Sequence, residues 1–210
     1  MQIIPAILAD TEQEFRDKVA HVRALGLLVQ IDVCDGEFVK RKTWAQPEMM
    51  RTIMGELPFE AHLMVSNPEH LVPVWLAAGA TRVYYHAEAT NVDGYMARSI
   101  VPDGAKLGIA INPDTPISRI VPALDLIHNV MIMGVTPGWS GQGFQEIALE
   151  KIRAVRQAKA SVFISVDGGI KPENARAALD AGADAIVAGS ALTGQEDAEE
   201  ALRAFERSLQ

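Results

Sequence analysis

The feature that most constrains this chain is a repeated switch between two kinds of segment. Short apolar runs occupy Gln2–Leu8, Leu27–Val33, Phe59–Val65, Arg82–Ala87, Lys106–Ile111, Val130–Val135, Val162–Val166 and Ala185–Ala188. Their length and Val/Ile content suit strands buried on both faces, as a parallel sheet covered by helices requires. Helical patterns lie between them. Thr11 to Glu14 reads as a Thr-x-x-Glu capping box, followed by Phe15, Val19 and Val22 on one face and a stop at Gly26. Ser66 to Glu69 repeats that entry signal, with Pro68 suited to the first turn. Further helices are expected over Glu48–Gly55, Asn91–Ile100, Ile117–Val121, Gln145–Lys159, Lys171–Ala181 and Asp197–Ser208. Gly26, Gly79 and Gly182 each follow a helical pattern and precede a strand, where a left-handed residue ends the helix. Strand–helix units repeated without a linker predict one (β/α)8 TIM barrel over residues 1–210, with a doubly wound open sheet as the alternative.

Composition narrows the setting. A chain of 210 residues supports one sizeable core and is short for two domains. No apolar run approaches the ~20 residues of a membrane span. The start Met1-Gln2-Ile3-Ile4-Pro5 carries no basic region of a secretory signal, so a cytoplasmic location is expected. The single cysteine, Cys34, excludes an internal disulfide framework and a cysteine-built zinc cluster. The net charge of -8 argues against a nucleic-acid surface and leaves room for a local anion pocket.

In such a barrel, chemistry gathers at the C-terminal ends of the strands. The second strand ends in Gln30, Asp32, Cys34 and Asp35, the third carries His62 and Met64, the fourth ends in His86 and Glu88, the sixth at Met133 and the seventh at Asp167. Alternation turns Gln30, Asp32 and Cys34 the same way, toward the interior. Acids facing each other inside a barrel need a metal, a histidine or a substrate proton as partner. Asp32, His62 and Asp167 are the natural trio, and His86 with Glu88 is read as bracing. His21, His70 and His128 are assigned nothing. Gly-rich turns follow three successive strands: Pro137 to Gln142 with Gly138 and Gly141, then Gly168-Gly169, then Gly189-Ser190. Glycines at such ends let backbone N–H groups approach a phosphate.

At these residues the sequence resembles the ribulose-phosphate 3-epimerase family. The matching motifs are Pro5 to Leu8, Asp32 to Val39, His62 to Val65, His86 to Thr90, Pro137 to Gln142, Val166 to Gly169 and Ala188 to Ala191. The resemblance implies a barrel of the ribulose-phosphate-binding type and an isomerase acting on a phosphorylated ketose. In that chemistry one aspartate takes the C3 proton and a second returns a proton to the opposite face, and Asp32 and Asp167 match those positions. It also implies one divalent ion (Zn, Fe, Mn, Co or Mg) held by His, Asp, His and Asp. Here Asp32, His62 and Asp167 match, while Gln30 stands at the first histidine. Residues flanking the enediolate correspond to Cys34, Met64 and Met133, the first a departure from methionine. Phosphate contacts fall on Gly138, Gly141, Gly168, Gly169, Gly189 and Ser190.

Other departures are Ala6 at a substrate-contacting serine, Trp139-Ser140 in the phosphate loop and the cations Lys40, Arg41 and Lys42, read as a solvated loop tip. A glutamine carbonyl is a poorer donor than imidazole toward zinc, iron or cobalt, so a weaker metal site is expected. Expected partners are a small sugar phosphate and further copies of the chain, with neither nucleic acid nor membrane. The alternatives are a relative turned to another sugar phosphate and a non-catalytic phosphosugar-binding protein. Retention of both acids speaks against the last.

Overall fold

A computed structural model describes residues 1–89, 106–139 and 141–210. The strands β1 (Gln2–Ile7), β2 (Val29–Cys34), β3 (Phe59–Met64), β4 (Arg82–His86), β5 (Lys106–Ile111), β6 (Asn129–Met133), β7 (Phe163–Asp167) and β8 (Ala185–Ala188) form a closed barrel in chain order. Every pairing is parallel, and β1 closes on β8. The helices are α1 (Glu12–Arg23), α2 (Pro47–Met54), α3 (Pro68–Ala77), α4 (Ile147–Ala158), α5 (Pro172–Ala181) and α6 (Ala198–Ser208). Among the described residues no helix is long and apolar enough to cross a membrane. The expected helix Asn91–Ile100 lies outside the described residues.

Alternation divides each strand between two cores. Ile31, Leu63, Val83, Ile109, Ile132 and Ile164 face outward and pack with Phe15, Val19, Trp75, Ile152 and Phe205 of the helices. Each such side chain, fully buried, contributes roughly 1.5–3 kcal/mol. Ile4, Ala6, Tyr84, Ala110, Met131, Met133, Ala185 and Val187 fill the barrel interior. Gly108 is glycine because of Tyr84, since a Cβ there would lie 2.4 Å from that ring. Toward the N-terminal end of the barrel a buried ion pair joins Glu60 and Arg82, and the guanidinium lies 4.5 Å from the Phe163 ring centroid. Burial pushes the Glu60 carboxyl up to about 7 despite that partner.

Local signals hold unevenly. The Thr11 hydroxyl accepts from the Glu14 N–H at 3.2 Å, and the Glu14 carboxylate accepts from the Asp10 N–H at 2.8 Å, one residue earlier than in a strict capping box. Gly26, Gly79 and Gly182 have φ of 63, 107 and 108°, the left-handed geometry that ends their helices. Ser66 is not a cap: the cap of α3 is Asn67, and the Ser66 N–H donates to Asp35 at 2.7 Å. The expected helix Ile117–Val121 is replaced by two single 3-10 turns, Ile117–Arg119 and Val121–Ala123. Pro122 lacks the N–H that would bond back to the Ser118 carbonyl, so an α-helix begun at Ile117 is broken there.

Candidate active site

The register of the sheet carries the acids and histidine to one level. Asp32 of β2 pairs with His62 of β3, and Asp167 of β7 with Met133 of β6. Asp32 and Asp167 meet across the mouth through the Gln30 amide, whose Nε2 donates to Asp32 at 2.7 Å and to Asp167 at 2.8 Å. His62 Nδ1 lies 3.1 Å from Asp32 and 3.3 Å from Asp167. Burial alone would push His62 down, but its hydrogen bonds to Asp167 and Asp32 and their charges outweigh it and raise it to about 9. Burial raises the Asp32 carboxyl above its ordinary range, and His62 offsets that only in part.

Above this cluster opens a pocket lined by Ala6, Leu8, Asp32, His62, Met64, Met133, Asp167 and the glycine turns. Gly138, Gly141, Gly168, Gly169, Gly189 and Ser190 all belong to its wall. Gly169, at φ 71°, runs so close to Phe144 that a Cβ would lie 2.7 Å from its backbone nitrogen. At Gly141 and Gly189 an added Cβ would meet no protein atom within 4 Å, so these backbones border open space. Lys171, which sequence reasoning passed over as a helix start, also lines the pocket and adds a cation beside the Gly168–Gly169 turn. Its signal was its place directly after the Asp-Gly-Gly-Ile turn. Cys34 lies below Leu8, Phe38 and Val39 with Sγ 3.9 Å from Met64 Sδ, outside the pocket wall. Burial and the charge of Asp32 push its thiol up to about 12.

The basic loop is not merely a solvated tip. Arg41 Nε donates to Asp10 at 2.7 Å, and its guanidinium lies 5.8 Å from the ring centroid of Trp139. Val39 abuts Gly138, where a Cβ would come within 3.0 Å. The loops after β1, β2 and β6 are thereby tied beside the mouth, while Lys40 and Lys42 stay exposed.

Asp32, His62 and Asp167 each offer one ligand atom, and those atoms lie within 4.8 Å of one another. The fourth position is telling. Gln30 is fully buried, its nitrogen satisfied by both carboxylates, while its Oε1 has no hydrogen-bond partner. A half-turn of that amide would bring its oxygen to the carboxylates, an arrangement stable only with a cation among them. Two carboxylates, one imidazole and one amide oxygen suit a hard to borderline divalent ion.

The family model described as the ribulose-phosphate 3 epimerase family matches residues 2–193. The ribulose-phosphate 3-epimerase of Mycobacterium tuberculosis H37Rv is 36% identical over 210 residues, covering 98% of this chain and 91% of that protein. The chloroplastic ribulose-5-phosphate-3-epimerase of Arabidopsis thaliana is 36% identical over 98% of this chain and 76% of its own length, and the Bacillus subtilis ribulose-phosphate 3-epimerase 34% identical over 96% of each. Solved structures share the fold at lower identity. The structure of KGPDC from Streptococcus mutans in complex with D-R5P superposes with a TM-score of 0.74 at 15% identity, covering 99% of this chain and 96% of that one. A 3-hexulose-6-phosphate synthase superposes with a TM-score of 0.72 at 18% identity over 100% of both chains. Matched along nearly its whole length, with the barrel and the acid pair at its mouth, the chain belongs to the ribulose-phosphate 3-epimerase family.

Proposed function

We propose that this isomerase inverts C3 of a pentulose phosphate, interconverting ribulose 5-phosphate and xylulose 5-phosphate through an enediolate. The observation that carries the reading is the meeting of Asp32 and Asp167, which come from strands on either side of the mouth, share one buried amide nitrogen and line a single pocket. One carboxylate removes the C3 proton as the bonding pair moves toward the C2 carbonyl. The other acid delivers a proton to the opposite face of C3, and the exchange of roles runs the reaction backward. Gly138, Gly141, Gly168, Gly169, Gly189 and Ser190 hold the phosphate through backbone N–H groups, fixing C3 between the acids. Met64 and Met133 flank the reacting carbons with apolar, polarisable surface. Asp32, His62, Asp167 and the Gln30 carbonyl would hold a divalent ion, which when bound supplies Lewis-acid stabilisation of the negative charge developing on the substrate.

The test is exchange of the substrate C3 hydrogen with deuterated solvent, followed by NMR. Asp32→Asn and Asp167→Asn should each abolish interconversion while sugar-phosphate binding survives, and each should confine exchange to the epimer whose C3 hydrogen faces the remaining acid, because each removes one proton carrier and no phosphate contact. Interconversion persisting in either variant, or exchange with both epimers, overturns the two-aspartate mechanism. A wild-type protein that binds sugar phosphates yet exchanges no hydrogen with any divalent ion would be a binding protein.

A further inference from the structure

Behind His62, on the side away from the two acids, stand His86 and Glu88. His62 Nε2 lies 2.9 Å from His86 Nε2, and His86 Nδ1 lies 3.2 Å from Glu88 Oε2. The other Glu88 oxygen accepts from the Asn112 N–H at 2.8 Å and from the Thr115 hydroxyl. The loop that supplies those donors is anchored by Lys151 of α4, whose ammonium donates to the Asn112 and Thr115 carbonyls. Both histidines are fully buried, and the Phe38 ring packs 4.8 Å from His86. Full burial keeps bulk solvent from both imidazoles.

The order of donors along this chain follows from chemistry. A carboxylate has no hydrogen to give, so His86 Nδ1 must carry one and donate it to Glu88. A neutral imidazole has a single N–H, so His86 Nε2 offers a lone pair. His62 Nε2 therefore donates to it, and the hydrogen of a neutral His62 is fixed on the nitrogen facing away from the acids. Two Nε2 atoms 2.9 Å apart share one hydrogen, and with Nδ1 of His86 already committed to Glu88 the lone pair falls to His86. Burial would push Glu88 up, but the bonds from His86, Thr115 and Asn112 outweigh it and hold the carboxyl at about 2.

We infer that Glu88 and His86 are positioning residues that set the tautomer of His62, presenting its Nδ1 lone pair to a divalent ion between Asp32 and Asp167. The inference rests on the reading of Asp32, His62 and Asp167 as ligands. It assigns the His-x-Glu pair at the end of β4 a share in metal affinity although neither residue reaches the pocket wall.

Glu88→Gln tests it with almost no change of shape. The Asn112 N–H still demands an acceptor, so the new amide turns its oxygen there and its NH2 toward His86. His86 then keeps its hydrogen on Nε2, His62 Nε2 becomes the acceptor, and the His62 hydrogen moves to Nδ1, where it blocks the ion. Nitrogen NMR of 15N-histidine-labelled, ion-free protein, taken above the His62 titration so that both rings are neutral, should show hydrogen on His86 Nδ1 and His62 Nε2 in the wild type, and the reverse at both residues in the variant. Mn2+ affinity by calorimetry should fall ~10–100-fold. His86→Gln, whose carbonyl can accept from His62 while its NH2 donates to Glu88, should retain most of the affinity, and His86→Leu should lose it. Hydrogen on His86 Nε2 in the wild type, or wild-type Mn2+ affinity in a folded Glu88→Gln protein, overturns the inference. A wild-type protein that binds no Mn2+ overturns the ligand reading itself, and this role with it.

Discussion

Gln30 shows how one residue can take over another's electrostatic task. Its NH2 bridges two buried carboxylates that would otherwise repel, the position a cation would hold. Hydrogen bonds to charged groups contribute ~1.5–3 kcal/mol, so Gln30→Leu should lower the stability of the ion-free protein by at least that much in urea unfolding. Unchanged stability would show that the bridge does not hold the acids. Gln30→His replaces the amide with a softer nitrogen donor, and Zn2+ or Co2+ should bind more tightly by calorimetry. Equal affinities would place residue 30 outside the coordination shell. The inward turn of Gln30 beside Asp32 was legible from alternation, because the period of two is a local property of a strand. Which end of the amide faces the acids was not, since Asp167 lies 137 residues away in sequence.

Among the elements, those with local causes were legible and those shaped by distant partners were not. Thr11 caps α1 by reaching three residues along its own chain, so Thr11→Ala should cost ~0.5–2 kcal/mol in urea and leave C3 exchange unchanged. Ser66 carries the same sequence signal, yet the Asp35 carboxylate of the neighbouring loop claims its N–H. In β5, Gly108 answers to the Tyr84 ring on β4 rather than to strand propensity. Gly108→Ala adds a methyl group where no space exists and should cost ~1–3 kcal/mol or more, with altered near-ultraviolet dichroism from displaced Tyr84. A fully stable alanine variant with an unchanged spectrum would mean that the ring has room to move aside.

For the whole molecule, the buried titratable groups set how stability varies with pH in the absence of metal. Glu88, held at about 2 against an ordinary 4.5, contributes stability that is present above 4.5 and lost as pH falls through 2. His86, pushed from 6.5 to about 4, contributes stability that is lost as pH falls across that interval. Raised groups act in the opposite sense, Asp32 among them. Glu60, raised from 4.5 to about 7, and His62, raised from 6.5 to about 9, favour the folded state at low pH and lose that effect as pH rises through the folded values. Between about pH 4.5 and 6.5 the His86 gain and the Glu60 loss oppose each other. Urea midpoints of ion-free protein should therefore form a plateau there, falling on the acid side with Glu88 and on the alkaline side with His62. A stability that keeps rising from pH 7 to 9 would contradict these assignments.

The sequence by itself determined the strand–helix alternation, because strand burial on both faces and left-handed glycines after helices are properties of short segments, and its family resemblance chose the barrel over an open sheet. It also placed the acids, His62 and the glycine turns at the C-terminal strand ends, since a parallel barrel leaves every strand pointing the same way. Tertiary structure alone decided how those ends meet. The Gln30 bridge, the His62–His86–Glu88 chain and the seat of Arg41 over Trp139 each join residues from different strand–helix units. Such contacts depend on closure and register of the whole sheet, which no short window of sequence contains. A hydrogen bond reads distances of a few tenths of an ångström, whereas a hydrophobic pattern reads only which face is buried.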